Sequence, residues 1–211
     1  APQLETAEQA LELILKAIKA SGYKAGKEVF ICLDPASSEF FKEKRYILEG
    51  ADKQFNSEEM ISYLKTLASN YPINSIEDGL DEDDWEGWKL LTEKLGSEVQ
   101  LVGDDLFATN PERIKRGIKE NVANSVLIKM NQIGTISETL ESVSLSHENA
   151  YKAVISHRSG ETEDTSITDL SVGLATGQIK TGAPARTDRV SKYNRLLFLE
   201  EKFNIPFASK K

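Results

Sequence analysis

The chain has 211 residues, enough to form one sizeable hydrophobic core, and its 39% hydrophobic and 28% charged residues are typical of a globular protein. Its formal net charge of −8 repels phosphate backbones and argues against nucleic acid as the primary partner. The sequence shows neither a secretory signal peptide nor the roughly 20 apolar residues of a membrane span, so we expect a cytoplasmic protein.

Short apolar runs alternate along the chain with longer segments whose apolar residues recur every three or four positions. The runs predict buried strands and the segments predict amphipathic helices. In chain order, the predicted elements are helix Thr6–Ala20, strand Val29–Leu33, helix Ser57–Ser69, strand Asn74–Asp78, helix Asp83–Leu95, strand Gln100–Asp104, a helix opening at Pro111, strand Ser125–Lys129, helix Ile136–His147, strand Ala153–His157, helix Thr168–Thr176, strand Gln178–Thr181 and helix Asp188–Phe203.

Several side chains in these elements are predicted to be structural. Thr6 and Gln9 have the spacing of a capping box at the start of the first helix. The single cysteine, Cys32, lies in an apolar run and is predicted to be a small core residue, and no intramolecular disulfide can form. The helix residues predicted to face inward are Leu11, Ile14, Leu15, Ile18, Met60, Ile61, Leu64, Leu67, Trp85, Trp88 and Leu91.

The repeated β-α units predict an α/β protein in which a parallel sheet has helices outside it. Six such units fit either an open doubly wound sheet or part of a β/α barrel, for which a complete set typically takes ~250 residues. No glycine-rich phosphate loop follows the first strand, which weakens the nucleotide-binding doubly wound alternative.

Every predicted strand ends in a charged or titratable group, at the position where β/α barrels place their chemistry. A single aspartate there is usually a turn or cap residue, and that explanation stays open for Asp78 and Asp105. Six strands in succession make turn chemistry an insufficient explanation for the whole set. The strand-end residues are Asp34, then Glu77 and Asp78, then Asp104 and Asp105, then Lys129, then His157, Arg158 and Ser159, and finally Lys180.

The order of these residues indicates a metal and an acidic substrate. Carboxylates gathered on one rim repel each other unless a cation lies between them, and oxygen ligands without cysteine or paired histidines favour Mg²⁺ over zinc. The basic half suits a carboxylate or phosphate, which Arg158 can bind through two parallel hydrogen bonds. Lys129, crowded by Lys180, Arg158 and the metal, is the candidate base. A partly neutral amine can remove a proton from a carbon beside a carboxylate.

Five stretches resemble the enolase family, in the order in which that family has them, and the resemblance runs over essentially the whole chain. The stretches are 75–80, 101–106, 127–134, 156–164 and 177–182. The resemblance implies a TIM-type β/α barrel of the enolase kind with about six β/α units present. It also implies the glycolytic lyase reaction, the reversible Mg²⁺-dependent dehydration of 2-phosphoglycerate to phosphoenolpyruvate.

The resemblance assigns roles to the matching positions. Asp34, Glu77 and Asp104 resemble the three Mg²⁺ ligands, with Glu77 and Asp104 also bordering the substrate. Lys129 resembles the base that removes the proton from carbon 2, and Asp105 is expected to orient Lys129 or its neighbours. The residues that resemble substrate contacts on the carboxylate and phosphate side are His157, Arg158, Ser159 and Lys180.

Compared with a full enolase, residues 1–211 resemble the C-terminal barrel domain without the N-terminal α+β domain, the first barrel strands and the glutamate that acts as general acid. We therefore expect this chain alone to turn over 2-phosphoglycerate poorly. The family resemblance implies a homodimer or larger oligomer for the full-length protein.

Two alternatives stay open at this point. Other enolase-superfamily barrels use a similar metal triad for racemisation or other eliminations. The chain also ends in Lys210 and Lys211, and some enolases bind plasminogen through C-terminal lysines, which would place the protein at the cell surface or outside the cell without a signal peptide.

Overall fold

A computed structural model describes residues 3–206 of the chain, so the proposed binding role of Lys210 and Lys211 lies outside the described residues. The strands are β1 (Ile31–Leu33), β2 (Phe41–Lys42), β3 (Arg45–Leu48), β4 (Lys53–Phe55), β5 (Ile73–Glu77), β6 (Gln100–Gly103), β7 (Ser125–Ile128), β8 (Lys152–Ser156) and β9 (Ile179–Lys180). The α-helices are α1 (Ala7–Ala20), α2 (Ser57–Asn70), α3 (Trp85–Leu95), α4 (Pro111–Glu120), α5 (Met130–Ile133), α6 (Ile136–Glu148), α7 (Ser166–Gly173) and α8 (Thr187–Phe203).

The chain divides into two compact units. Within the described residues, the first consists of 3–106 with Arg116–Asn124, and the second of Phe107–Lys115 with 125–206. Each unit holds three parallel strands and the helices that connect them, which confirms the predicted α/β class.

In the first unit, β5 pairs in parallel with β1 on one side and with β6 on the other. Asn56 caps α2 in a capping box with Glu59, and Asp84 caps α3 by accepting the Gly87 N–H. The side chains predicted to face inward from α2 and α3 are all buried, namely Met60, Ile61, Leu64, Leu67, Trp85, Trp88 and Leu91. This packing fixes the carboxyl ends of β5 and β6.

The first unit also contains an antiparallel sheet that the sequence analysis missed. Strands β2, β3 and β4 form it in that order, between β1 and α2 in the chain. The turn between β2 and β3 consists of Glu43 and Lys44, whose φ angles are +50° and +62°. Such hairpin turns ordinarily carry asparagine or glycine, so two charged residues gave no turn signal.

In the second unit, β8 pairs in parallel with β7 on one side and β9 on the other. The register places Ile128 opposite Ile155 and Ser156 opposite Lys180, so these strands end close to the same level. Directly after β7 the chain forms the short helix α5, another element that the sequence analysis did not predict.

Two core predictions are wrong. Cys32 is exposed, because alternation along β1 buries Ile31 and turns the next side chain to the opposite face. In α1, Leu11 and Ile18 are buried but Ile14 is 43% exposed, so the packed face of this helix is narrower than its apolar stripe.

The capping box predicted for α1 is half formed. The Thr6 side chain accepts the Gln9 N–H, whereas the Gln9 side chain accepts the N–H of Glu5 and not that of Thr6. Among the described residues, no helix combines the length and apolar character needed to cross a membrane.

Candidate functional site

Carboxylates stand at the ends of all three parallel strands of the first unit. Asp34 directly follows β1, Glu77 is the last residue of β5, and Asp104 directly follows β6. Glu77 and Asp104 are buried, with 7% and 9% of their surface exposed, whereas Asp34 is exposed. Buried carboxylates are costly unless they are paired, hydrogen-bonded or bound to a metal. Glu77 and Asp104 are thus the two buried acids among the three metal ligands expected from the sequence.

Asp78 joins the ends of β5 and β6. Its backbone has a φ of +43°, in the left-handed region, and only 4% of its surface is exposed. Its two carboxylate oxygens accept the backbone N–H groups of Asp104 and Asp105, each at 2.9 Å. Its own N–H donates to the Val102 carbonyl at 3.0 Å, and its carbonyl accepts the Ser37 N–H at 3.1 Å. Asp78 therefore links the ends of β5 and β6 through hydrogen bonds. This role is more specific than that of a turn residue, the explanation that the sequence analysis left open for Asp78.

Three acids form a cluster here that could hold a metal ion. Carboxylate oxygens of Asp78, Asp104 and Asp105 lie within 4.8 Å of one another. Burial raises the pKa of Asp78 to about 7, backbone hydrogen bonds oppose this shift, and the charges of Asp104 and Asp105 add to it. Of the three ligands expected from the sequence, the cluster contains Asp104, while Asp34 and Glu77 lie at the ends of β1 and β5.

In the second unit, Lys129 is positioned by a threonine that the sequence analysis missed. Lys129 directly follows β7, and its backbone N–H donates to Thr109 Oγ1 at 2.9 Å. Thr109 is fully buried, has a φ of +55°, and its carbonyl accepts the Ser142 hydroxyl at 2.8 Å. Thr109 thus connects the first residue after β7 to α6. Its sequence context, a threonine before Asn110, resembles an ordinary helix start and gave no signal of this role.

His157 and Lys180 meet through the backbone. The His157 N–H donates to the Lys180 carbonyl at 2.9 Å, continuing the pairing of β8 with β9. Burial lowers the pKa of His157, and the positive charges of Arg189, Lys180 and Lys129 lower it further, against the opposing charge of Glu161. The structure therefore places Lys129 and Lys180 near His157, at the strand ends of the second unit.

The loop after β8 carries Arg158 and Ser159. The Arg158 backbone N–H donates to Glu161 Oε2 at 3.1 Å. The Arg158 guanidinium donates to Oδ1 of Asn131, a residue of α5, at 2.8 Å. Arg158 is half-buried and Ser159 is exposed. Both remain accessible to a ligand.

Helix α8 supplies a buried cation beneath this loop. Lys192 is fully buried, and its ammonium donates to the carbonyls of Thr162 and Asp188 and lies 3.5 Å from Glu161 Oε1. These contacts hold the loop against the helix. The sequence analysis missed Lys192 because a lysine on an amphipathic helix is usually solvated, and only the tertiary contacts place it inside.

The two units have different chemistry. The first gathers carboxylate oxygens, which suit a hard divalent cation, and the second gathers nitrogen donors and positive charge, which suit an anion. The chain matches the family model described as enolase, C-terminal TIM barrel domain, over residues 1–208. This match confirms the expected barrel class, and members of the superfamily bind a divalent metal.

Proposed function

The chain belongs to the enolase C-terminal TIM barrel domain family, and we propose that its reaction is the Mg²⁺-dependent removal of water from 2-phosphoglycerate to give phosphoenolpyruvate. The observation that carries this proposal is the set of strand-end side chains. Carboxylates end the parallel strands of the first unit, and Lys129, His157 and Lys180 end or follow those of the second. These positions lie within the stretches that resemble the family or, for Asp34, directly after β1.

We assign the metal to Asp34, Glu77 and Asp104. The oxygen-only acid cluster around Asp104 supports this assignment, because hard carboxylate donors suit Mg²⁺. In this assignment Asp78 does not bind the ion. It holds Asp104 in place through the backbone hydrogen bond. When bound, the ion supplies positive charge that stabilises the negative charge developing on the substrate carboxylate.

We assign the proton transfer to Lys129, which removes the proton from carbon 2. The electron pair of the broken C–H bond is first delocalised into the substrate carboxylate. It becomes the double bond between carbons 2 and 3 in a second step, when a general acid protonates the hydroxyl and water leaves carbon 3. His157, Arg158, Ser159 and Lys180 bind the carboxylate and phosphate side of the substrate. Support comes from the shared location of Lys129, His157 and Lys180 at the strand ends of the second unit, where Arg189 and Lys180 supply positive charge.

Exchange of the carbon-2 proton tests this proposal, because exchange needs the base and the metal but no acid to expel the hydroxyl. The chain is incubated with 2-phosphoglycerate and Mg²⁺ in D₂O, and the carbon-2 proton signal is followed by NMR. We expect the signal to decay with the unaltered chain and to persist with Lys129→Met. The matched control is Lys152→Met, which removes an exposed lysine from the start of β8. Persistence of the signal with the unaltered chain would overturn the proposal.

A second reaction in the same superfamily is the competing candidate, because the family match by itself specifies the superfamily and not the substrate. Racemisation or elimination on an unphosphorylated hydroxy acid would use the same metal and base. A substrate screen separates the two. Activity on such an acid with none on 2-phosphoglycerate would replace the proposed reaction.

We also propose a homodimer or larger oligomer and a cytoplasmic location. Both proposals rest on the resemblance to the family. Sedimentation of the full-length protein tests the first, and a monomer at micromolar concentration would contradict it.

A further inference from the structure

Arg189 contacts all three residues that directly follow β8. One terminal nitrogen of its guanidinium lies within hydrogen-bond distance of His157 Nδ1 and donates to the Arg158 carbonyl at 2.9 Å. The other donates to the Ser159 carbonyl at 3.1 Å. Its side chain is only 11% exposed, and its Nε lies 3.3 Å from Asp188 Oδ2. One side chain from α8 therefore sets the course of the loop that begins at His157.

Space for Arg189 depends on Gly182, the second residue after β9. A β-carbon at Gly182 would lie 2.8 Å from the Arg189 Cδ, closer than side chains tolerate. The φ of Gly182 is +78°, which also favours glycine. Tyr193, one turn after Arg189 on α8, donates its hydroxyl to the Gly182 carbonyl. The loop after β9 thus packs closely against the aliphatic part of the Arg189 side chain, which restricts Arg189 to one position.

A guanidinium can only donate hydrogen bonds, so the nitrogen of His157 that faces it must accept. This requires a neutral imidazole with its proton on Nε2. The charged groups around His157 favour the neutral form, because the nearby cations Arg189 and Lys180 lower its pKa against the opposing charge of Glu161. With Nδ1 occupied, Nε2 is the ring nitrogen left to contact a ligand.

We propose that Arg189 is a positioning residue that fixes His157 as its Nε2–H tautomer and so makes this histidine a neutral hydrogen-bond donor to an anionic ligand. The tautomer assignment follows from the contacts of Arg189 alone. The ligand part rests on the proposed function, in which the substrate carries a carboxylate and a phosphate. Arg158 and Lys180 then attract the anion through their positive charges, and His157 donates a hydrogen bond to it from Nε2.

The test is ¹⁵N NMR of the imidazole rings in the full chain, which contains only His147 and His157. The His147→Gln variant assigns the signals. We expect the unaltered chain to show His157 protonated on Nε2 and unprotonated on Nδ1 near neutral pH. In Arg189→Met we expect a mixture of tautomers. The matched control is Arg186→Met, which removes the same charge from a side chain that is 77% exposed at the start of α8. We expect that control to leave His157 unchanged.

A proton on Nδ1 in the unaltered chain would overturn the proposal, whether or not the Arg189 variant folds. An unchanged Nε2–H tautomer in a folded Arg189→Met variant would overturn it as well. Binding of inorganic phosphate is the ligand measurement, and we expect Arg189→Met to weaken it about tenfold, the effect of losing one hydrogen bond to a charged group. The NMR result needs no ligand. Failure of the unaltered chain to bind phosphate would therefore count against the proposed function and not against the tautomer.

Discussion

Single residues at the strand ends owe their roles to backbone geometry. Asp78 accepts two neighbouring N–H groups with one carboxylate, and its own backbone lies in the left-handed region. Aspartate tolerates that region better than most residues, since its short side chain can bond locally. The backbone N–H groups of Asp104 and Asp105 are therefore fixed by the Asp78 carboxylate. In the sequence, Asp78 looks no different from the other strand-end acids.

The metal ligands can be tested one at a time. We expect Asp104→Asn and Asp34→Ala each to weaken Mn²⁺ binding at least about tenfold, because each removes one anionic oxygen donor from a hard-cation site. Electron paramagnetic resonance of free Mn²⁺ measures the affinity. Glu98→Gln, which alters an exposed acid before β6, is the control and should bind normally. Unchanged affinity in Asp34→Ala, with loss in Asp105→Asn, would favour the cluster of Asp78, Asp104 and Asp105 as the ligand set.

The lowered pKa of His157 predicts a pH dependence of stability. Between that lowered pKa and the ordinary value of 6.5, the unfolded chain binds a proton that the folded chain does not. The contribution of His157 to the free energy of unfolding should therefore rise with pH through this window and level off above 6.5. Asp78 contributes with the opposite sign, because its raised pKa keeps a proton on the folded chain that the unfolded chain has lost. Urea unfolding at several pH values measures it.

Histidine variants isolate this contribution from other titrating groups. Below pH 6.5, we expect the slope of the free energy of unfolding against pH to be less positive in His157→Gln than in the unaltered chain, and unchanged in His147→Gln. Equal slopes in both variants would contradict the assignment.

At the scale of elements, the small antiparallel sheet β2–β4 supports the loop that carries Asp78. Tyr46 of β3 is fully buried; its hydroxyl accepts the Asp81 N–H at 3.0 Å and donates to Asp84 Oδ2 at 2.8 Å. Burial raises the pKa of Tyr46 well above its usual value, and the nearby acids act in the same direction. Asp84 also accepts the Ser57 hydroxyl and caps α3. One tyrosine thus ties this sheet to the segment between β5 and α3.

We expect Tyr46→Phe to lower the free energy of unfolding by about 1–3 kcal/mol, because the Asp81 N–H and the Asp84 carboxylate lose a buried partner. Urea denaturation measures the change. Tyr23→Phe makes the same chemical change at a side chain that is 57% exposed, and should alter stability by less than about 0.5 kcal/mol. An equal effect at both positions would mean that the Tyr46 hydroxyl bonds contribute nothing to the docking of this sheet.

Helix α8 has a second function beyond packing. One face of α8 carries Arg189 and, three and four positions later, Lys192 and Tyr193. Each of these side chains donates a hydrogen bond to a loop that follows β8 or β9. A helix that covers the core therefore also sets the positions of the candidate anion-binding residues.

At the scale of the whole molecule, the proposed metal site predicts that metal binding and protein stability are coupled. A ion that binds only the folded chain stabilises it by about 2.7 kcal/mol at one hundred times its dissociation constant. We expect Mg²⁺ to raise the thermal unfolding temperature relative to the same protein in EDTA. Calorimetry measures the shift, and Asp104→Asn should reduce it. A shift of the same size in that variant would place the bound ion elsewhere.

The sequence by itself determined the alternation of strands and helices, the class of the fold and the residue types at each strand end. These are local properties, because hydrophobic periodicity and the chemistry of a strand's last residues can be read over a few positions. The inward faces of α2 and α3 were predicted residue by residue. The resemblance of five sequence stretches predicted the enolase family, and the family match over residues 1–208 agrees with this prediction.

Only the tertiary structure decided which of these residues support one another. Asp78 bonds to Asp104, which is 26 positions away in the chain. Lys192 bonds to Thr162 over 30 positions, and Arg189 contacts His157 over 32. No local pattern encodes such contacts, because they depend on how neighbouring strand ends and α8 pack in three dimensions. The exposure of Cys32 has the same origin, since the face of β1 that is covered is set by packing and not by the apolar run around it.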